Sequence, residues 1–237
     1  STPVIIQNPN PSVPLAAVIR FATTEPATAG LEINNDGQVR IAESGLRVVH
    51  SLPVVGLRAG VRNTIRISLS DTCGNTEPFA ATFDFDTQPL PDDFPPLTAR
   101  VYDSQRAEPG TTMFTVSPTG GGGHSWIIAV DEQGRVIWYY RSEQPTSSDF
   151  RQTETGNILF LDSRDAIEMD VLGNVVNRWH PSGLQPAPET SNGVVPVNTV
   201  NFHHEIAELP SGNLLTLGTE LRHFNTYPSS ETDPRGP

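Results

Sequence analysis

The sequence predicts an all-β chain, on three observations. Apolar residues alternate with polar ones in short runs. Turn formers punctuate those runs, with 22 Pro and 19 Gly among 237 residues. Long patterns of helical period are nearly absent. With 36% hydrophobic residues the chain has enough apolar content for a packed core, unlike a disordered segment. Its length accommodates one large domain or two smaller ones.

From the N-terminus, Asn8–Pro14 is rich in Pro and Asn and reads as extended and irregular. Ala17–Phe21 reads as a strand, Thr24–Ala27 as a turn and Ala29–Ile33 as a second strand. Asn34–Gly37 is a hairpin signal that leads into Gln38–Ile41. Arg47–His50 and the cleanly alternating Asn63–Leu69 follow, then the turn Asp71–Asn75 and a strand over Phe79–Phe85. About seven short strands in about 90 residues form the pattern of an immunoglobulin-like or fibronectin-III-like sandwich. His50 lies beside the apolar run Leu52–Leu57 with no second ligand or base nearby, and reads as a packing or surface histidine.

Four prolines between Thr87 and Pro96 forbid regular structure and mark a linker. The expected organisation is therefore a sandwich over 1–88, a Pro-rich linker over 89–97 and a second region over 98–237.

In that region Ala99–Tyr102 and Thr112–Val116 read as strands around Glu108–Gly110. Gly120–Gly123 could suggest a phosphate cradle, but a strand, Trp126–Val130, follows where a cradle needs a helix. Four hairpin signals come next. Asp131–Gly134 turns into Arg135–Arg141, and Gly156-Asn157 turns into Ile158-Leu159. The Asp-x-x-Gly form returns at Asp170–Gly173, and the Gly-Asn form at Gly212-Asn213. The two Gly-Asn turns are offset by 56 residues, and two hairpins make a four-stranded sheet, the unit of a β-propeller blade. Trp138, Tyr139 and Trp179 read as blade-packing residues.

The later Gly-Asn hairpin carries His203-His204-Glu205 at the start of its first strand. The offset places Ser147 and Ser148 at the equivalent points of the earlier copy, so the repeat folds without imidazoles and their presence points to a site. Side chains of consecutive strand residues point to opposite faces, so one of the two histidines is expected to enter a site, and spacing does not choose which. The same divergence argues against a metal centre at His203-His204-Glu205.

Lys and Arg total 15 against 27 Asp and Glu, a net charge of −12. Such a surface repels nucleic acid and anionic lipid and excludes them as partners. It also repels an anionic substrate at long range, so a site for one must gather its donors locally. Cys73 is the single cysteine, so no disulfide forms within the chain. No apolar stretch approaches the ~20 residues of a membrane span.

The chain resembles the bacterial arylsulfotransferases, the PAPS-independent aryl-sulfate sulfotransferases. The sandwich carries the resemblance at Pro14–Ala17, Thr23–Pro26 and His50–Leu57. The second region carries it at Glu108–Gly110, Ala129–Tyr140, Glu168–Val176 and His203–Leu215. The resemblance implies a six-bladed propeller with its active site at a central channel. It implies transfer of a sulfuryl group from a phenolic sulfate donor to a phenol acceptor, by a ping-pong route through a sulfated histidine and without a nucleotide cofactor. It also implies an exported protein, periplasmic or secreted. His203 and His204 match the family's channel histidine pair, and Glu205 stands behind them where the family often has Asp.

The family's nucleophilic histidine belongs to later blades, and 98–237 spans about two and a half blades. The expectation is an N-terminal portion of a larger protein, inactive alone, with a further chain or C-terminal remainder completing the propeller and a homo-oligomer open. Arg222 and His223 read as surface or packing residues. The competing reading is a non-catalytic secreted sandwich–propeller protein used for adhesion or multi-subunit assembly, through open strand edges.

Overall fold

The computed structural model describes residues 1–34, 39–42, 45–99, 103, 106, 108, 110–118, 123–145, 147–183, 193–220 and 222, with backbone alone at 39–42, 78–79 and 147–148. Every regular element among them is a strand. Several expectations lie outside the described residues in whole or part: the Asn34–Gly37 hairpin, the Ala99–Tyr102 strand, Glu108–Gly110, Gly120–Gly123 and His223.

The N-terminal region contains β1 (Val4–Gln7), β2 (Ala17–Ile33), β3 (Val39–Ala42), β4 (Arg47–Val54), β5 (Arg62–Asp71) and β6 (Thr76–Asp86). The expected turn at Thr24–Ala27 does not form, and β2 runs unbroken through it. Its first half pairs with β1 and β4, while its second half pairs with β3 and β5, with a register shift between Ala22 and Ala27. Pro26 falls in the stretch between the two sets of partners, where its missing N–H costs no ladder bond. A strand that changes partners at a bulge lets one strand serve both layers of a sandwich. Ile19, Phe21 and Leu52 from one half meet Leu31, Ile33, Ile65 and Ile67 from the other in a single core. His50 is fully buried, stacked on Phe21 at 4.5 Å, with Nε2 3.2 Å from Thr23 Oγ1.

The remaining strands are β7 (Thr112–Val116), β8 (Ser125–Val130), β9 (Val136–Ser142), β10 (Ser147–Gln152), β11 (Ile158–Asp162), β12 (Asp165–Met169), β13 (Val175–Pro181), β14 (Val194–Val197), β15 (Phe202–Glu208) and β16 (Leu214–Gly218). They form a three-stranded sheet β7-β8-β9, a five-stranded sheet β10-β11-β12-β13-β14 and a two-stranded sheet β15-β16. A Gly-Asn hairpin and an Asp-x-x-Gly hairpin thus share the middle sheet. β14 adds to β13 in parallel, which the hairpin pattern did not anticipate. A parallel partner arrives through a long connection, so no local turn signal announces it.

The four hairpin turns have one geometry. In each, the glycine N–H donates to the first turn residue's carbonyl, and that residue's N–H donates to the carbonyl four residues on. The pairs are Asp131/Arg135, Thr153/Asn157, Asp170/Asn174 and Leu209/Asn213, at 2.8–3.0 Å. The glycines have φ of +76°, +87°, +83° and +78°, the left-handed position that follows a type I turn in a three-residue hairpin loop. Asp131 and Asp170 reinforce the loop by accepting two backbone N–H bonds each on Oδ1.

The segment from Asn8 to Leu15 binds the two regions together. Asn8 Nδ2 donates to the carbonyls of Val13 and Leu172, and Asn10 Nδ2 donates to Gly173. Ser12 accepts from the Arg141 amide at 2.9 Å. Val13 is buried among Ile127, Trp138, Phe160 and Met169, and Leu15 among Trp126, Ile128 and Tyr139. Residues 87–96 carry no strand or helix. They pack on the first of these sheets, with Phe94 edge-on to Trp126 and Tyr139 and Asp93 paired to Arg141 at 2.8 Å. Trp138 donates to the Val171 carbonyl, tying the first sheet to the second.

Gly173 sits under this strap. A Cβ there would lie 2.7 Å from Val13 Cγ2 and 2.8 Å from Asn10 Nδ2, whereas one at Gly156 would meet nothing within 4 Å. G156A should therefore lose only the cost of left-handed backbone, about 1–2 kcal/mol. G173A should lose roughly a further 1–3 kcal/mol for overpacking. Denaturant melts of the two variants check the difference.

Tyr140 packs edge-on to Phe160, and burial, with the nearby Asp162 charge, pushes its hydroxyl up to about 12. Between its ordinary value near 10 and that figure, the unfolded chain releases a proton that the folded chain keeps. Stability should therefore fall as pH rises from about 10 to about 12. Y140F should flatten that slope, as read from denaturation midpoints across the window.

Candidate functional site

The candidate site is built on β15. Phe202 and Ile206 are buried beside Leu159, Leu161 and Ala166, and they anchor the strand to the middle sheet. Between these anchors His203, His204 and Glu205 are all exposed. The ladder to β16 pairs His203 with Leu217 and then Ile206 with Thr216, so His204 and Glu205 form a bulge. His204 has φ +61°, a left-handed backbone that is uncommon for a side chain of this size.

The bulge changes the expected geometry. Alternation along a regular strand would send the two imidazoles to opposite faces. Instead their rings lie 4.0 Å apart at 79°, edge to face, and both are accessible. It also changes the repeat alignment. The earlier hairpin pairs Ser148 with Leu161 and Phe150 with Phe160, skipping Asp149 alone. Phe150↔Phe160 corresponds to Ile206↔Thr216 at the 56-residue offset, but Ser148↔Leu161 corresponds to His203↔Leu217, one residue out of step. The structural counterpart of His203 is Ser148 and that of Phe202 is Ser147. The later copy has one more bulge residue.

Three side chains from the two strands meet here. Arg151 of β10 donates from one terminal nitrogen to Asp149 Oδ1 and from the other to Glu205 Oε1, each at 2.8 Å. Asp149 Oδ2 accepts the amide of Ile206 at 3.0 Å. The Glu205 carbonyl accepts from Thr216 Oγ1 at 2.8 Å. Chemically, this presents two imidazoles, each able to donate, accept or act as a nucleophile, beside a guanidinium already shared by two carboxylates. Among the described residues no group of three His, Cys, Asp or Glu side chains could hold a metal ion. Arg222 is exposed and pairs with Glu220 at 2.6 Å.

Sequence reasoning missed a second polar cluster. A cleft of about 470 Å³ is lined by Tyr140, Asp162, Arg164, Asp165, Arg178 and His180, among others. His180 Nδ1 lies 2.7 Å from Asp165 Oδ1, and Arg178 approaches the other Asp165 oxygen at 3.4 Å. His180 is buried, and among the described residues its Nε2 has no hydrogen-bond partner. Burial raises the Asp162 carboxyl above its ordinary value, against the opposing hydrogen bond from Ser142. The residues come from β9, β11, β12, β13 and the turn between β11 and β12, so only their convergence, not any local spacing, marks them.

Two family descriptions match the chain. The arylsulfotransferase Ig-like domain matches residues 4–88, and arylsulfotransferase (ASST) matches residues 98–233. No curated protein matches it. Among the described residues no helix is long and apolar enough to cross a membrane. The second match alone spans more than half of the sequence, and the all-β architecture agrees with both: the chain belongs to the arylsulfotransferase family.

Proposed function

We propose that this chain supplies part of the site of an aryl-sulfate sulfotransferase, with His203 and His204 binding the sulfuryl group and Glu205 behind them. The observation that carries the reading is the pair of accessible imidazoles, 4.0 Å apart, raised on a bulge of β15. A sulfuryl group in flight spreads negative charge over three oxygens, and its transition state needs N–H donors aimed at those oxygens. Two rings on one exposed bulge can reach different oxygens of the same group.

The reaction follows a ping-pong course. An imidazole nitrogen attacks the sulfur of the donor, the aryl–oxygen to sulfur bond breaks, and the aryloxide leaves with a proton. The acceptor phenol oxygen then attacks the sulfohistidine sulfur, loses its proton, and the imidazole leaves. No oxidant or nucleotide enters the balance. The nucleophilic imidazole comes from a further blade, and His203 and His204 hold the oxygens. The three C-terminal sheets are consecutive sectors of a propeller. In support, the middle sheet joins one hairpin of each kind, and the first strands of the second and third sheets, β10 and β15, lie side by side through Arg151 and Glu205. The organisation that goes with this is a sandwich over 1–88, a linker over 89–97 and a propeller portion over 98–237, in an exported protein of the periplasm or beyond.

The test uses the complete protein with a phenolic sulfate donor and a phenol acceptor, without PAPS. Sulfated acceptor should form, with parallel double-reciprocal plots. Donor alone should leave an acid-labile sulfated histidine detectable by mass. H203A or H204A should lower kcat/KM by about 10²–10³-fold, and parental rates in both variants would remove the site assignment.

A further inference from the structure

The β15 bulge is held from outside its own hairpin. Ile206, the first residue after the bulge, donates its amide to Asp149 Oδ2 at 3.0 Å. Asp149 is itself a bulge residue, with φ +40°, skipped in the register of β10 against β11. Its other oxygen accepts Arg151, whose second terminal nitrogen reaches Glu205 inside the β15 bulge. Two irregular points on neighbouring sheets are therefore locked together by one carboxylate and one guanidinium. The lock closes on Glu205 inside the bulge and on Ile206 immediately after it.

We propose that Asp149, oriented by Arg151, is a positioning residue for the sulfuryl-binding pair His203–His204, an inference that rests on the role assigned to those histidines above. A left-handed His204 is held only as long as its surroundings over-determine it. Among the described residues, the bulge has one side-chain hydrogen bond inside its hairpin, Thr216 to the Glu205 carbonyl. The Asp149 carboxylate is 17% exposed, so its bond to the Ile206 amide is shielded from competing water. With that bond lost, the bulge can relax toward regular alternation, which would part the two rings. Asp149 touches neither ring and takes no part in proton or sulfuryl movement.

The test is the D149A and D149N pair in the complete protein, beside H203A and H204A. D149N keeps a carboxamide oxygen for the Ile206 amide, whereas D149A keeps nothing. At an unchanged melting temperature, D149A should lower kcat about 10- to 100-fold with KM for the donor held within about twofold, and D149N should recover most of the rate. A purely structural staple would lower the melting temperature and leave kcat per folded molecule alone. If D149A does not fold, R151A, at a half-exposed position, carries the test and should lower kcat in the same direction. Parental kcat in the folded variant, with H203A and H204A impaired, overturns the positioning role alone. Parental kcat in H203A and H204A overturns the histidine assignment first and this inference with it.

Discussion

A single loop geometry underlies the C-terminal half of the molecule. Each hairpin closes on a glycine at φ near +80°, whose N–H returns to the first turn residue while that residue's N–H reaches the carbonyl beyond. Such a loop fixes not only the reversal but the register of the strands on either side. Because the loops at Gly156 and Gly212 are alike, the two Gly-Asn hairpins pair residue for residue at their turn ends. Any difference in strand length must then be absorbed away from the turn. The later strand has one residue more, and it accumulates at the far end, where β15 bulges at His204-Glu205. The candidate site is thus the place where an otherwise repeated unit departs from its copy.

The same loops serve the packing of the sandwich on the sheets. The Asn8–Leu15 strap forms no strand, yet its two asparagine side chains donate to loop carbonyls, those of Leu172 and Gly173. Asn fits because its Nδ2 can donate twice, as Asn8 does to Val13 and Leu172. Val13 and Leu15 then enter two different cores. The strap replaces water on polar groups that the Asp170–Asn174 loop would otherwise expose, and it requires the residue beneath it to lack a Cβ.

What could be read from the sequence follows from how local each cause is. Glycine turns, alternation in β5 and the proline-rich stretch are local, and the structure has a turn, a strand and irregular chain at those places. The passage of β2 through Thr24–Ala27 was hidden, because two different partner strands straighten a segment whose own residues favour a turn. β14 was hidden because a parallel neighbour is chosen by tertiary packing. At the site, the residues His203, His204 and Glu205 were visible by type and by their absence from the earlier copy. Their geometry was not, since a bulge depends on strand lengths at both ends of a hairpin, and this one is hydrogen-bonded to Asp149 from another sheet. The Asp165–His180 contact was invisible because it joins the first residue of β12 to the far end of β13.

Electrostatics decides which groups at the site can meet an anion. The chain carries a net charge of −12, so its field opposes a sulfate ester approaching from solution. The guanidinium closest to the bulge cannot reverse this, because Arg151 is shared between Asp149 and Glu205 and the three side chains together are negative. Among the described residues neither His203 nor His204 is hydrogen-bonded to a carboxylate. Their N–H groups are therefore the donors with capacity to spare, and they are short-range ones. Recognition by such donors depends on aim rather than on attraction from a distance, because a hydrogen bond weakens steeply once its angle falls away. A site of this kind places its demand on backbone geometry. In this chain the bulge is tied to a neighbouring sheet through Asp149, and the nearby Arg151 guanidinium is engaged by Asp149 and Glu205.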